Sequence, residues 1–221
     1  MLIPMRPRQY VSENSLASFY HWTRNKYHML ELWPECESLV SVIDDLLYNF
    51  RPASPNLIAA VVAQICNGKY IFKVKNFSKL LQNAREVMGW SNESPPFCTD
   101  PSGYQFSLII FPLGVNGGDR EHISLFVRTK RGEFDNILPW PFMGSFSFTI
   151  LDQSDVADGF HNHITGTFAT RGNQRAFQKP IAGENGTLYG FAKFAPVEMV
   201  CTQRYSREDS VMIKVEIDKI P

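Results

Sequence analysis

Residues 104–128 read YQFSLIIFPLGVNGGDREHISLFVR, and this stretch decides the fold class. Apolar residues occupy every second position in two runs that flank the glycine-rich segment 112–121. The positions that share one predicted core face are Phe106, Leu108 and Ile110 in the first run and Ile123, Leu125 and Val127 in the second. This period of two is typical of strands that bury one face. Because only the glycine-rich segment separates the runs, we predict an antiparallel hairpin.

The same alternation recurs at three further places, within residues 70–75, 145–150 and 211–218. Turn-forming sequences separate the runs, namely Pro101-Ser102-Gly103, Arg131-Gly132 and Asn185-Gly186. Strands with one apolar and one polar face, joined by turns without long helices between them, are typical of an antiparallel β-sandwich. We therefore predict a mainly β domain over residues 67–221.

The first 66 residues have a helical period instead. Four apolar residues recur there at spacings of 4, 3 and 4, namely Leu39, Ile43, Leu46 and Phe50. This spacing fits a coiled-coil seam between copies of the chain, and it fits equally a helix packed on any core, since two heptads are too few to separate the two. We predict a helical region over residues 1–66, a possible oligomerisation segment, with a domain boundary near Asn67-Gly68.

The composition excludes several classes of protein. Hydrophobic residues make up 44% of the chain and charged residues 20%, as in a globular protein with a sizeable core. The 22 basic and 22 acidic residues balance, so the dense positive surface that nucleic acid requires is not expected. The sequence holds no run of 18 apolar residues and begins without the apolar segment of a signal peptide, so we predict neither membrane insertion nor secretion.

We predict no catalytic residue, no metal site and no cofactor. The four cysteines are isolated, which fits reduced thiols in a cytoplasmic protein better than a zinc site or a disulfide framework. They are Cys36, Cys66, Cys98 and Cys201. His161 and His163 have no third metal ligand fixed nearby, so we interpret them as part of a polar surface segment.

The residues that alternate with the core positions of the hairpin indicate a contact surface. Ile109 and Phe111 on the first strand and Phe126 on the second are expected to point outward and meet on one exterior face. A clustered apolar patch on the outside of a sandwich usually marks a contact site. The alternative is that the N-terminal helices or a loop cover this patch.

A set of short motifs identifies a family. The motifs are Leu138-Pro139-Trp140-Pro141-Phe142, Leu151-Asp152-Gln153, Phe177-Gln178-Lys179-Pro180 and Gly190-Phe191-Ala192-Lys193-Phe194. In this order and spacing, over residues 67–218, the chain resembles the MATH/TRAF-C domain of tumour-necrosis-factor-receptor-associated factors. The resemblance implies an eight-stranded antiparallel β-sandwich, binding of extended segments of receptor cytoplasmic tails along a sheet edge, and trimerisation through a preceding coiled coil.

The resemblance also implies a peptide-binding groove. The aligned positions are Ile109, Phe111, Val115, Phe126, Phe168, Gln174, Arg175, Ala176, Tyr189 and Gly190. Several differ from the family pattern: Ile109 and Phe111 replace an Arg and a Tyr, Val115 replaces an Asp, residues 174–176 replace serines, and Tyr189 replaces a small residue. The aromatic floor formed by Phe126 and Phe168 is kept. We therefore expect weak or absent binding of the usual Gln/Glu-containing motif and a more apolar or different peptide instead.

The resemblance implies a non-catalytic cytoplasmic adaptor that binds peptide segments of receptors or signalling proteins and acts as an oligomeric scaffold, with a homotrimer favoured. The alternative is a substrate-recognition subunit of a ubiquitin ligase whose catalytic part lies on another chain. Four scattered cysteines are not expected to support a zinc-dependent ligase module in this chain.

Overall fold

The computed structural model of the chain describes residues 67–115, 120–155 and 160–219. The predicted helical region 1–66 lies outside these ranges, so the helices, the oligomerisation segment and the domain boundary stay predictions. In chain order, the elements of the described ranges are β1 (Lys69–Lys75), α1 (Phe77–Glu86), β2 (Asn92–Glu93), β3 (Phe97–Cys98), β4 (Gln105–Phe111), β5 (His122–Lys130), β6 (Gly144–Ile150), β7 (Ile164–Ala169), a 3-10 turn (Arg175–Phe177), β8 (Tyr189–Pro196), α2 (Val197–Val200), β9 (Ser206–Arg207) and β10 (Ser210–Lys219).

The strands form two sheets whose pairings are all antiparallel. One sheet has the order β1-β10-β6-β7, with the short β9 beside β10, and the other has the order β2-β4-β5-β8, with β3 also on β4. Because β2 and β3 pair with different parts of β4, they act as one interrupted edge strand. With that pair counted once and β9 left aside, the described residues form eight strands in two layers, which confirms the predicted sandwich.

The core lies between the two sheets and is rich in phenylalanine. The residues of β4, β5 and β10 that were expected to face inward are buried, namely Phe106, Leu108, Ile110, Ile123, Leu125, Val127, Val211, Ile213, Val215 and Ile217. The ring of Phe146 in β6 lies 5.1 Å from the ring of Phe106 in the opposite sheet, in an edge-to-face arrangement. Burial of each such side chain stabilises the fold by about 1.5–3 kcal/mol, so this layer holds the sheets face to face.

Helix α1 is an element that the alternation pattern does not predict. Its buried residues are Phe77, Leu80, Leu81 and Ala84. They recur at i, i+3, i+4 and i+7, which is the apolar stripe of an amphipathic helix, so a local signal was present in the sequence. The backbone N–H and the hydroxyl of Ser78 both donate to the carboxylate of Asp209 at 2.8 Å, and these bonds tie the start of α1 to the turn before β10.

Two of the motifs that identify the family fix loops of the sandwich. The Trp140 indole Nε1 donates to the carbonyl of Asp135 at 2.9 Å, and the Trp140–Pro141 peptide bond is cis. Gln153 Nε2 donates to the carbonyls of Tyr205 at 2.6 Å and of Ser210 at 3.0 Å, so the segment after β6 is joined to the chain around β9 and β10. These motif residues maintain the fold through contacts inside the domain.

Candidate functional site

The open side of the sandwich lies where β7 ends one sheet and β8 ends the other. Aromatic rings fill the space between these two edges, and we call them the aromatic seam: Phe168, Phe177, Tyr189, Phe191 and Phe194. The ring of Phe168 on β7 lies 5.0 Å from Tyr189 and 5.8 Å from Phe191 on β8. Within the seam Phe177 is fully buried and the others are half-buried, so the seam joins the core to the surface.

Two glycines allow the strands around the seam to approach closely. A Cβ on Gly166 of β7 would lie 2.9 Å from Phe194 Cε2 and 3.1 Å from Phe191 Cζ. A Cβ on Gly190 of β8 would lie 2.2 Å from the carbonyl oxygen of Leu125 in β5. Side chains at these positions would push the aromatic rings and β8 outward, so the shape of the open side depends on both glycines.

The three hairpin residues predicted to form an exterior patch differ in how exposed they are. Ile109 and Gly190 both pair with Phe126 across the sheet, and the rings of Phe111 and Phe126 meet edge-to-face at 5.7 Å. Phe111 and Phe126 are half-buried; Phe126 on β5 borders β8, and Phe111 on β4 lies one strand further from that edge. Ile109 lies outside the core cluster, as its predicted outward direction requires, but it is only 1% exposed and so adds no exposed surface to the patch.

Val115 lies with α1 rather than with the seam. It lines a cavity of about 110 Å³ together with Ala84, Met88, Trp90 and Leu113. The apolar side chain at this position therefore continues an apolar cavity at the tip of the β4–β5 hairpin. Its assignment to the peptide groove rests on the resemblance alone.

The segment Gln174–Ala176 leads into the 3-10 turn (Arg175–Phe177), which joins the aromatic seam through Phe177. Thr129 Oγ1 of β5 donates to the carbonyl of Ala176 at 2.6 Å, and Asn185 Nδ2 donates to the carbonyl of Arg175 at 2.7 Å. Ala176 is buried, whereas Arg175 is exposed. The next residue, Phe177, places its ring 5.4 Å from Tyr189, so this turn forms one wall of the open side.

A cluster of four charges beside this wall was not predicted from the sequence. It consists of Glu93 on β2, Arg128 and Lys130 on β5, and Glu184 in the loop before β8, and we call it the charge cluster. Arg128 Nη1 lies 2.9 Å from Glu93 Oε2 and 2.8 Å from Glu184 Oε1. Lys130 Nζ lies 3.1 Å from Glu93 Oε1 and also contacts Glu184 Oε2.

The ion pairs shift the pKa values of two side chains in the charge cluster. The hydrogen bond from Lys130 holds the pKa of the Glu184 carboxyl below its usual range. Burial alone would lower the pKa of Lys130, but hydrogen bonds to Glu184 and Glu93 outweigh it and raise that pKa. The sequence shows Arg128 and Lys130 only as a short charged strand end, because their partners lie 35 to 56 positions away.

The histidine pair considered as a metal site is part of the loop after β6. Nδ1 of His163 accepts a hydrogen bond from the backbone N–H of Asp152 at 2.9 Å, and the rings of His161 and His163 stack at 5.4 Å. Burial lowers the pKa of His163, which favours the neutral ring that this bond requires. In the three described ranges, no group of three metal-binding side chains comes together. A membrane-spanning helix is likewise absent from this part of the chain.

The comparisons with known proteins agree on one family. The profile of the TRAF/meprin MATH domain matches residues 90–214, more than half of the chain. The chain is 31% identical to "TNF receptor-associated factor 6" of Bos taurus over 196 residues, which is 88% of this chain and 35% of that protein. It is 31% identical to the Homo sapiens protein of the same name over 195 residues, again 88% of this chain and 37% of that protein. The chain thus spans about a third of the length of these curated relatives.

A solved structure supports the same conclusion. The structure of Notothenia coriiceps TRAF5 superposes on the chain with a TM-score of 0.67 at 25% sequence identity. The superposition covers 95% of this chain and 97% of that one.

Proposed function

Because this chain belongs to the TRAF family of MATH-domain proteins, we propose that it is a non-catalytic cytoplasmic adaptor that binds extended peptide segments of receptors or signalling proteins. The observation that carries the proposal is the open edge of β8 beside the aromatic seam. Such an edge offers backbone hydrogen-bonding groups to an added strand and ring-lined pockets to its side chains. The relatives are named for association with TNF receptors, which supports receptor cytoplasmic tails as partners.

The surface next to β8 favours an apolar ligand residue. Phe126 presents its ring there, the ring of Phe111 on β4 meets it edge-to-face, and Ile109 is buried. A ligand carboxylate set against these rings would lose water and gain no cation or hydroxyl from the three positions, at a cost on the order of several kcal/mol. We therefore infer that the bound segment carries an aliphatic or aromatic side chain at this point.

Calorimetric titration with two matched peptides tests the proposal. The peptides share one receptor-tail sequence and carry either Glu or Leu at the position that faces Phe111 and Phe126. We expect the Leu peptide to bind at least about tenfold more tightly, which corresponds to about 1.4 kcal/mol. Phe126→Ala should weaken that binding, whereas Met199→Ala, at an exposed position on α2, should not. Tighter binding of the Glu peptide would refute the apolar specificity.

We also propose that the chain works as an oligomeric scaffold, with a trimer as the expected state. The spacing of apolar residues over residues 39–50 supports it, and linked sites raise a weak single-site affinity through effective concentration. The alternative role, recognition of substrates for a ubiquitin ligase on another chain, would use the same edge of β8 and stays a prediction. Co-purification with ligase subunits is the measurement that would favour it.

A further inference from the structure

The loop before β8 is held by strand β5. The pairing of β5 with β8 ends at Val127, and the last residues of β5 pair with the loop instead. Arg131 N–H donates to the carbonyl of Gly183 at 2.9 Å, and Asn185 N–H donates to the carbonyl of Thr129 at 2.8 Å. An isolated antiparallel bridge joins Lys130 to Glu184 between these bonds, so residues 183–185 are held in a fixed register on β5.

The side chains of the charge cluster support the same register, because Arg128 and Lys130 of β5 both pair with Glu184. Each cation contacts both carboxylates, and each carboxylate contacts both cations. The four side chains are only 20–43% exposed, so the ion pairs are partly shielded from solvent. Arg128 Nε is buried without a hydrogen-bond acceptor among the described residues, so its guanidinium depends on the contacts of Nη1.

The same loop carries the contacts that place the wall of the open side. Asn185, next to Glu184, donates through Nδ2 to the carbonyls of Arg175 at 2.7 Å and Gln178 at 3.3 Å. Thr129, whose carbonyl accepts from Asn185, also donates to the carbonyl of Ala176 at 2.6 Å. A shift of the loop along β5 would therefore move the 3-10 turn and the ring of Phe177 that packs on Tyr189.

We propose that Glu184 is a positioning residue: through the charge cluster it holds residues 183–185 on β5, and thereby fixes the 3-10 turn as a rigid wall beside the aromatic seam. Its importance for ligand binding rests on the proposed peptide-binding function. A wall that is ordered before the ligand arrives removes part of the conformational entropy that binding would otherwise cost. Glu184 acts on the ligand through Asn185 and the turn, without contacting it.

Amide hydrogen exchange of the free full chain tests the positioning role without any ligand. In Glu184→Gln, which keeps the size and removes the charge, we expect about tenfold faster exchange of the Arg131, Phe177 and Asn185 amides. Exchange in β6 and β10 should stay within a factor of two. Glu133→Gln, at an exposed position in the loop after β5, is the matched control and should change none of these amides. Unchanged exchange in Glu184→Gln, or faster exchange spread over the whole sandwich, would overturn the proposal.

A double-mutant cycle tests whether Glu184 acts through the charge cluster. Glu93→Gln removes the other carboxylate that bridges the same two cations. The effects of Glu184→Gln and Glu93→Gln on loop exchange should be non-additive, because both act through Arg128 and Lys130. Strict additivity would show that Glu184 acts outside the cluster.

Titration with the Leu peptide then separates this proposal from the proposed function. Glu184→Gln should raise the Kd about three- to tenfold, mainly through faster dissociation. Loosened exchange with an unchanged Kd would overturn the link between the wall and the ligand. If the wild-type chain binds no peptide, the proposed function fails, while hydrogen exchange still decides whether Glu184 positions the turn.

Discussion

Gly190 determines how closely β8 can lie against β5. Its Cβ position falls 2.2 Å from a backbone oxygen and 2.8 Å from the Cα of Phe126, and neither backbone atom can rotate away. Any side chain here must therefore displace the strand that borders the aromatic seam.

Asp152 is a second residue whose surroundings determine its chemistry. Its carboxylate accepts hydrogen bonds from the N–H and hydroxyl of Ser154 at 2.9 and 2.5 Å and from Asn162 N–H at 2.9 Å.

We expect Gly190→Ala to destabilise the domain by about 2 kcal/mol, in the range of overpacked sites, because β8 must move away from β5. The free energy of unfolding in urea measures the effect. Gly186→Ala is the matched control, since no atom lies within 4 Å of its Cβ position, and it should stay within about 0.5 kcal/mol of wild type. Equal destabilisation by both substitutions would contradict the close approach at Gly190.

The acid stability of the domain should depend on Asp152. Burial pushes the pKa of this carboxyl upward, but the hydrogen bonds from Ser154 and Asn162 and the charge of Arg204 outweigh burial and lower it to about 2. Since the folded pKa lies below the unfolded value of about 3.9, the stabilisation is fully present above about pH 4 and is lost as pH falls toward 2. Between pH 5 and pH 2 the loss should be about 2 kcal/mol in wild type.

Unfolding of Asp152→Asn between pH 5 and pH 2 checks this dependence. The variant should be less stable at pH 5 and should lose less stability on acidification. Glu133→Gln, which removes an exposed carboxylate, should follow the wild-type curve. A wild-type slope retained in Asp152→Asn would assign the acid sensitivity to another group.

At the scale of elements, local patterns were enough for some strands and not for others. The alternation in β4, β5, β6 and β10 predicts both the strands and their buried faces, because period two is a property of the backbone itself. The stripe of α1 was also local, but only ten residues long and set among strands. The charge cluster depends on segments far apart in sequence, so no local pattern could have indicated it.

Helix α1 should be essential to the domain. Phe77 at its start is 1% exposed and belongs to the same core cluster as the strands. We expect Phe77→Ala to cost about 3–5 kcal/mol of unfolding free energy, through lost burial and the cavity left behind. Urea unfolding of Lys79→Ala, at an exposed position of the same helix, is the control and should show little change. A small effect of Phe77→Ala would show that α1 packs independently of the sandwich.

At the scale of the whole molecule, a peptide site of one strand's width at the edge of β8 would favour joining several copies of the chain. A site that binds one peptide strand mainly through backbone hydrogen bonds has a low affinity by itself. Linking several copies of the site raises the apparent affinity for a multivalent partner. We therefore expect the helical spacing before residue 67 to serve oligomerisation.

Light scattering of the full chain tests the oligomerisation segment. Wild type should have the mass of a trimer, and Ile43→Asp, which places a charge on the predicted apolar face, should have the mass of a monomer. Asp45→Asn, off that face, should leave the mass unchanged. A monomeric wild type, or a trimer that survives Ile43→Asp, would reject the seam formed by Leu39, Ile43, Leu46 and Phe50.

The pairing of β1 with β10 has a consequence in time. Lys69 lies opposite Glu216 and Lys75 opposite Ser210, so the first and last strands of the domain are neighbours, and β10 also separates β1 from β6. During synthesis at about 5–20 residues per second, the edges of β1 and β6 that pair with β10 stay unpaired for several seconds, until that strand leaves the ribosome. Contacts of such long sequence separation also make folding slow, in the range of milliseconds to seconds. We therefore expect the newborn chain to expose the most unpaired strand edge just before β10 appears.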